Sequence, residues 1–380
     1  MRDIGGGFGD APLLIPLAVA LVTINHLNAT AVFVGAGVLY ITVAYLHRLP
    51  IPVQPLKAVS AIAISAGLGP SGIAAAGLMI GALFMGLSLS GLADRLRVVF
   101  IPAVVRGIQL SVGILLVRTA WDEMVRSGQF SFRLSGGVEG PLIGMTVALV
   151  VAAAVWRRIP GIPVALLAVG LLVGALFGLH HSGPLTLGPE PLRLEGPSGG
   201  QFAVALWTLA LPQLALSLGN SLMATSSAAV SYFGQQGRSV TPGRLALSMG
   251  VANLIVSPLG GMPMCHGAGG LTAHVRMGAR TGRATAVYGG VLVVLGLVGG
   301  AAAPTLLAVL PACILAGLLL FVGVMHATLI AELRTRRELA IALFIGAVSA
   351  LTGNITAGVV AGLLVVGLFA IIRHGADQAG

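Results

Sequence analysis

The chain has a single lysine, Lys57, which lies in an apolar stretch directly after three closely spaced prolines. A cation in the first turn of a helix opposes the helix dipole, whose N-terminal end is already positive. Placing a charged side chain at membrane depth adds a second cost, of about 2.5–3.5 kcal/mol on insertion scales. Because a bound anion would offset both costs, this position indicates an anion-binding site.

The residues around Lys57 predict a helix whose N-terminus is open to a ligand. The prolines of Pro50-Ile-Pro-Val-Gln-Pro55 hold the chain extended, since proline disfavours the helical region for the residue before it. Pro55 suits the first helical position, where an N–H group is not needed. We therefore expect Gln54, Lys57 and the backbone amide of Ala58 to contact the ligand.

A second motif, Met262-Pro-Met-Cys-His266, precedes the glycine-rich run Gly267-Ala-Gly-Gly270. Glycines at a helix start allow backbone amides to approach a ligand closely, and helix N-termini bind oxyanions. Two such ends facing each other would offer opposed N–H groups to a tetrahedral dianion. We assign Gly267, Ala268 and Gly269 to this site. His266 is either a ligand or proton carrier, or a neutral residue at the helix entry.

Other polar residues in apolar runs leave alternatives open. Gln213 and Asn220 are donors to the ligand or hydrogen bonds between helices. Arg106 adds positive potential to the site or extends to the membrane surface, and Asp10 is an interfacial residue or a coupling group. The eighth and tenth apolar runs contain no Asp or Glu. This favours a positively charged pocket and weak or absent proton coupling.

The elements that position these residues are membrane helices. The chain is 57% hydrophobic and 8% charged, with a mean hydropathy of +1.01, which excludes an ordinary soluble domain. The apolar runs do not alternate as barrel strands do. We predict an all-α protein with fourteen spans near 11–27, 29–46, 55–67, 70–91, 98–118, 140–156, 162–179, 203–228, 244–260, 267–277, 284–301, 304–326, 337–351 and 354–372.

The arginines fit an arrangement with both termini in the cytoplasm, because most then fall on the cytoplasmic side. The linker 181–200 separates residues 1–180 from 201–380, with seven spans in each half. Because each half has an odd number of spans, the second half is expected to be inverted relative to the first. We expect the third and tenth spans to be short half-helices. We expect no soluble domain, cofactor, metal or nucleic-acid partner, and a location in the plasma (inner) membrane.

The motifs resemble the plant-type molybdate transporter family of the sulfate permease superfamily. They are Gly9-Asp10, Pro52-Val-Gln-Pro-Leu-Lys-Ala58, Pro102-Ala-Val-Val-Arg-Gly-Ile-Gln-Leu110, Leu211-Pro-Gln-Leu214, Gly219-Asn-Ser221 and Met262-Pro-Met-Cys-His-Gly-Ala-Gly-Gly-Leu271. The resemblance implies a seven-plus-seven inverted repeat with core and gate domains, and substrate bound between the third and tenth spans. The family usually continues its first span with Gly-Asp-Leu-Gly-Thr, whereas this chain has Ala11-Pro-Leu13.

We therefore predict a secondary transporter of a tetrahedral oxyanion, operating by elevator-like alternating access. Molybdate is the expected substrate, with tungstate as a mimic, sulfate as the alternative and a homodimer as a possible assembly. A nucleobase permease would need buried acids that are absent here. An intramembrane enzyme would need a catalytic set at membrane depth, and a channel would need a continuous polar pore.

Overall fold

Two short extended segments pair inside an otherwise helical structure. The computed structural model describes residues 2–95, 102–126, 162–176, 185–308, 310 and 312–379. Strand β1 (Gln54–Pro55) runs antiparallel to β2 (Met264–Cys265), with Gln54 opposite Cys265 and Pro55 opposite Met264. This ladder joins the two halves of the sequence and places the starts of the helices that follow it side by side.

The first half is helical on both sides of β1. Its helices are α1 (Arg2–Gly6), α2 (Ala11–Thr23), α3 (Ala29–His47), α4 (Lys57–Ala66), α5 (Pro70–Leu89), α6 (Leu92–Arg95), α7 (Pro102–Arg126) and α8 (Ile162–Leu176). Helix α4 has ten residues, a length of about 15 Å, and it ends because Gly67 adopts the left-handed conformation (φ 60°). A hydrocarbon core of about 30 Å is therefore twice its length.

The second half begins with a long helix that changes register. Gly199–Ala205 (α9) and Leu211–Leu216 (α10) are α-helical, whereas Leu206–Ala210 and Ser217–Ala224 form π turns. Pro212 has no N–H for the preceding turn, and Leu211 donates five residues back to Leu206. The remaining helices are α11 (Thr225–Phe233), α12 (Pro242–Val256), α13 (Ala268–Arg276), α14 (Gly282–Gly299), α15 (Ala303–Ala308), α16 (Ala312–Thr328), α17 (Arg336–Thr352) and α18 (Ile355–Ala379), with 3₁₀ turns at Gln236–Ser239, Ser257–Leu259 and Leu329–Glu332.

The helices pack in two sets. In the site bundle (α2–α5 and α9–α14), α3 packs on α14 and α5 on α12. In the second bundle (α7, α8 and α16–α18), α7 packs on α16 and α17. The bundles meet where α4 and α10 contact α7, and where α2 contacts α8 and α16. The start of α4 therefore lies in the site bundle, where that bundle contacts the second one.

Glycines allow close contact in the three long pairs that join the two halves. A Cβ on Gly113 of α7 would lie 2.6 Å from the Gly323 carbonyl oxygen of α16, and one on Gly323 would lie 2.9 Å from the Gly113 oxygen. Gly289 in the α3–α14 pair and Gly250 in the α5–α12 pair have equally close backbone neighbours. Backbones approach at these points because no side chain separates them.

Residues 185–198 form a strap over one end of the site bundle. The Glu190 carboxylate accepts from the Ala29 amide at the start of α3 (2.7 Å), and the Glu195 carboxylate accepts from Ser71 Oγ of α5 (2.5 Å). The Glu195 amide also donates to the Pro258 carbonyl (2.7 Å). The strap therefore connects three separate helix ends within one bundle.

The described residues support the expected apolar spans in part. Six helices of the described residues are long and apolar enough to cross a membrane: Ala29–His47, Pro70–Leu89, Pro102–Glu123, Gly199–Phe233, Gly282–Gly299 and Cys313–Glu332. The single span expected at 304–326 is divided between α15 and α16, because the sequence has a proline at 311. The expected span 140–156 lies outside the described residues.

Candidate anion site

Lys57 is the end of a buried polar chain that begins at Asp10. The Lys57 ammonium donates to Gln54 Oε1, and Gln54 Nε2 donates to Asp10 Oδ1 at 2.6 Å. Tyr40 donates its hydroxyl to the other carboxylate oxygen at 3.3 Å. Asp10, predicted from the sequence as an interfacial residue or a coupling group, is only 3% exposed, and Lys57 is 6% exposed. Gln54 therefore separates an opposite pair of buried charges and bonds to both.

The amides at the start of α4 are held by a side chain from α10. Gln213 Oε1 accepts from the backbone N–H groups of Ala58 (2.8 Å) and Val59 (3.3 Å), and its Nε2 donates to Ser217 Oγ (2.8 Å). Gln213 is fully buried. A carboxamide oxygen thus occupies the position at a helix N-terminus where an anion oxygen would bind.

The start of α13 lies against the same chain because two of its residues lack side chains. A Cβ on Gly267 would lie 2.9 Å from Lys57 Nζ, and one on Gly270 would lie 2.9 Å from Asp10 Oδ1. A Cβ on Gly269 would have no neighbour within 4 Å, and this residue is exposed. The amides of Ala268 and Gly269 have no acceptor among the described residues. They are therefore available to an external acceptor.

His266 joins the two extended segments. Its Nδ1 donates to the Pro52 carbonyl (2.8 Å), and its Nε2 lies 2.8 Å from Ser248 Oγ of α12. Because a carbonyl only accepts, Nδ1 carries the hydrogen, and the single hydroxyl hydrogen of Ser248 goes either to Nε2 or to the Leu245 carbonyl (3.0 Å). Both nitrogens have protein partners, and the ring is fully buried. In this arrangement His266 positions the backbone of the site.

Several supporting residues were not identified from the sequence. Asn253 bonds both the amide and the carbonyl of Met264 (2.6 and 2.9 Å), which fixes β2. Thr225 Oγ1 donates to the carbonyls of His266 (3.1 Å) and Asn220 (3.0 Å). Asn253 could have been found as a lone amide in an apolar span, whereas Thr225 carries no distinguishing local pattern.

Two of the predicted site residues do not contact Lys57. Arg106 donates to Gln109 Oε1 (2.6 Å) and forms an ion pair with Glu332 at the end of the second bundle. Asn220 is buried in the π turn after Gln213. The structure thus brings together Asp10, Gln54, Lys57, Ala58, Gln213 and Gly267, with His266, Ala268 and Gly269 adjacent to them in β2 and α13.

The described surface also has a cavity away from this cluster. It has a volume of about 410 Å³ and is lined by residues that include Leu68, Ser71, Gln201 and Thr208. These residues contribute no charged side chain. The cavity therefore lacks the cation that distinguishes the β1–β2 crossing.

Residues 2–116 and 205–325 match the sequence profile of a family described as "Molybdate transporter of MFS superfamily". Among curated relatives, Molybdate transporter 2 of Arabidopsis thaliana is 29% identical over 93% of this chain and 83% of its own length. Molybdate transporter 1 of Chlamydomonas reinhardtii is 28% identical over 98% and 91% of the two chains.

Solved structures show a similar fold. The transmembrane domain of the cyanobacterial bicarbonate transporter BicA aligns with a TM-score of 0.66 at 18% identity, covering 94% of this chain and 96% of that one. The murine Slc26a9 anion transporter in the inward-facing state has a TM-score of 0.66 at 13% identity, covering 98% and 68%. At these identities the similarity concerns the fold of the membrane-spanning helices.

Proposed function

The chain belongs to the molybdate transporter family, and we propose that it is a secondary transporter that moves a tetrahedral oxyanion, molybdate first, through a membrane. Tungstate is the expected mimic and sulfate the main competitor. The family is one of transporters, which is not an enzyme class. The following observations support this function.

The crossing of β1 and β2 carries the proposal, because it gathers donors and positive charge in one place, where Lys57 is buried and Gly269 is exposed. Lys57 uses one ammonium hydrogen on Gln54, which leaves two for a ligand. The amides of Ala268 and Gly269 add two donors at the positive end of a second helix. A tetrahedral dianion has four acceptor oxygens, and charge-assisted hydrogen bonds of this kind are about twice as strong as neutral ones.

Gln213 places an oxygen at the start of α4, where an anion oxygen would also bind. Its Oε1 satisfies the Ala58 and Val59 amides, which would otherwise be buried donors without partners. A bound oxyanion either displaces this oxygen or lies beside it against Lys57. In both cases the first turn of α4 and the first turn of α13 face the same ligand.

The helix pairing supports a seven-plus-seven inverted repeat of fourteen spans. In such a repeat, each element of the first half corresponds to the element seven spans later. The β1–β2 and α7–α16 pairs then each consist of two corresponding elements. The α3–α14 pair in turn corresponds to the α12–α5 pair, because α3 is equivalent to α12 and α14 to α5. All four pairings are observed. The proposal places residues 1–180 in the first repeat, 181–200 in an external linker and 201–380 in the second repeat.

The two bundles are proposed to be the core and gate domains of an elevator-like transporter. The site bundle carries both helix starts, and its strap joins helix ends of that bundle alone. Movement of the site bundle along the second bundle would carry the anion without dismantling the site. The proposal also places the protein in the plasma (inner) membrane with both termini cytoplasmic, and allows a homodimer.

Uptake into proteoliposomes tests the substrate. Purified protein should accumulate labelled molybdate, and excess tungstate should compete with it. Competition by sulfate should be weaker, and uracil should not compete. Uptake of uracil, or of sulfate in preference to molybdate, would refute the molybdate assignment.

Substitution of Lys57 tests the site. Lys57→Ala should weaken molybdate binding by about 2–5 kcal/mol, the range for truncating one partner of a buried charge contact. Lys57→Arg should also impair binding, because a planar guanidinium cannot replace a compact ammonium. Arg193→Ala, which removes an exposed positive charge from the strap, is the charge-matched control and should bind normally. Normal binding by a folded Lys57→Ala protein would exclude this site.

A further inference from the structure

A histidine of the second bundle is buried near the boundary with the site bundle. His326, near the end of α16, is 3% exposed, so it faces protein and not the bilayer. Lys57 begins α4 in the site bundle. The contact between α4 and α7 and the packing of α16 on α7 place both residues at the boundary between the bundles.

The hydrogen bonds of His326 leave one nitrogen unused. Its Nδ1 donates to the Val322 carbonyl one turn earlier (2.9 Å), because a carbonyl oxygen can only accept. In the neutral ring the lone pair is then on Nε2, and this buried atom has no partner among the described residues. Buried polar atoms normally have partners, so this Nε2 could accept a hydrogen bond or a proton from a group outside the described residues.

Few other charges face this ring. Helices α2 and α8, which pack on α16, contain no ionisable side chain. On α7 the residue level with His326 is Gly113, whose Cβ would lie 2.7 Å from the Ala327 amide. Arg106, about two turns away, is engaged by Gln109 and Glu332, and Arg118 lies more than one turn away in the other direction. Cys313, on the same helix as His326, is more than three turns distant.

We propose that His326 completes the anion site from the second bundle and takes up a proton when the oxyanion binds. The Nε2 lone pair accepts a proton from water, and the imidazolium then donates Nε2–H to an anion oxygen. The proton returns to water when the anion leaves. A dianion next to the ring favours the charged form of histidine, while Lys57 opposes it when no anion is present.

This inference rests on the proposed function and changes one of its details. The sequence favoured weak or absent proton coupling, with His266 and Asp10 as the other candidates. The ring nitrogens of His266 already have partners, whereas His326 has a free acceptor at the bundle boundary.

Calorimetric titration of the purified protein with molybdate tests the proposal. Titrations near neutral pH in two buffers of different ionisation enthalpy give the number of protons taken up per anion. Wild type should take up protons, and His326→Gln should take up none while binding about tenfold more weakly, the effect of one charge-assisted hydrogen bond. His47→Gln, at a second buried histidine, should match wild type.

Unchanged proton uptake and affinity in folded His326→Gln would overturn the proposal. Infrared difference spectra of wild type with isotope-labelled histidine provide a test without substitution, since anion binding should produce imidazolium bands. Their absence would also overturn it. If wild type binds sulfate but not molybdate, only the substrate assignment fails, and the same comparison with sulfate decides the role of His326.

Discussion

Individual residues determine how Lys57 is tolerated in the buried site before an anion arrives. Gln54 accepts from Lys57 and donates to Asp10, so both charges have a hydrogen-bonding partner without a direct ion pair. A direct ion pair would neutralise Lys57 and compete with the ligand. The amide spacer keeps the ammonium available, which explains why the first turn of α4 has a cation at an electrostatically unfavourable position.

Gln213→Glu should separate binding from folding. A carboxylate is nearly isosteric with the carboxamide and is favourable at the start of α4, where Gln213 accepts from Ala58 and Val59. The folded state should therefore persist. The added negative charge beside Lys57 should weaken molybdate binding at least about tenfold, an effect of about 1.4 kcal/mol. Calorimetry measures the affinity, and thermal unfolding in detergent measures the stability.

Gln201→Glu is the matched control for this charge change. Gln201 is the third residue of a helix whose Ser198 cap forms a reciprocal capping box with it, and glutamate fits that role equally well. This variant should bind molybdate like wild type. If both variants bind normally, the carboxamide of Gln213 does not adjoin the anion site.

Asp3 gives a pH-dependent contribution to stability outside the membrane spans. Partial burial alone would raise the pKa of Asp3, but hydrogen bonds from Thr281 Oγ1 and the amides of Arg280 and Thr281 outweigh it and lower the pKa below 3.8. Stabilisation by this carboxylate is therefore present above the unfolded pKa of about 3.9 and is lost as the pH falls through the folded value.

The melting temperature of Asp3→Asn should be lower than that of wild type at neutral pH. The difference should shrink as the pH approaches and passes below the lowered pKa. A constant difference at all pH values would show that the ionised carboxylate is not responsible.

Motif spacing could predict the site residues that follow the proline and glycine patterns at the helix starts. It could not predict the residues that packing brings to the site from distant parts of the chain. Gln54, Lys57 and Gly267 follow from proline and glycine patterns that set a helix start. The burial of Asp10 depends on where α2 packs, and the role of His326 depends on contact between two bundles. A lone histidine in an apolar span was the available signal for His326, because such residues are costly in a bilayer.

At the scale of helices and strands, the close glycine contacts fix how the two halves of the chain meet. In the α3–α14 pair, a Cβ on Gly289 would lie 2.6 Å from the Gly37 carbonyl and 2.8 Å from Tyr40 Cβ. Gly290, the next residue, has nothing within 4 Å of its Cβ position. These neighbours provide a matched pair of substitutions within one helix.

Gly289→Ala should destabilise the protein by about 1–3 kcal/mol, because an added methyl group would force two packed helices apart. Gly290→Ala should be neutral or stabilising by up to about 1 kcal/mol, since alanine is the better helix former. Thermal unfolding of the two variants in the same detergent measures both effects. Equal stability of the two variants would contradict the close packing of α3 on α14.

Hydrophobic runs were sufficient to predict most helix positions, but not their internal register. The run at 203–228 gave no sign of the two π turns around α10, which orient Gln213 toward α4. The β1–β2 ladder was also not predicted. Its strands have two residues each, and their pairing depends on His266, which directly follows β2, and on Asn253 of α12.

At the scale of the whole molecule, the packing separates a bundle that holds the site from one that borders it. The strap at 185–198 connects helix ends of the site bundle, and the Arg106–Glu332 ion pair lies within the second bundle. The most extensive helix packing, of α3 on α14, α7 on α16 and α5 on α12, lies within the bundles. This arrangement favours motion of one bundle against the other.

Spin-label distances should show this motion. A pair at Ser90 and Gln235 lies within the site bundle and its loops, and a pair at Ser90 and Arg334 spans both bundles; all three positions are exposed. Molybdate should shift the distance distribution of the second pair and leave the first unchanged. Equal shifts in both pairs would favour a general rearrangement over rigid-body movement.

The most direct measurement is an experimental structure of the protein loaded with tungstate, whose heavy atom can be located without ambiguity. The account predicts tungsten at the crossing of β1 and β2. It should lie about 4 Å from Lys57 Nζ and from the amides of Ala268 and Gly269, the distance set by hydrogen bonds of about 2.9 Å to its oxygens. Tungsten in the cavity lined by Leu68 and Gln201, with none beside Lys57, would contradict the proposed site.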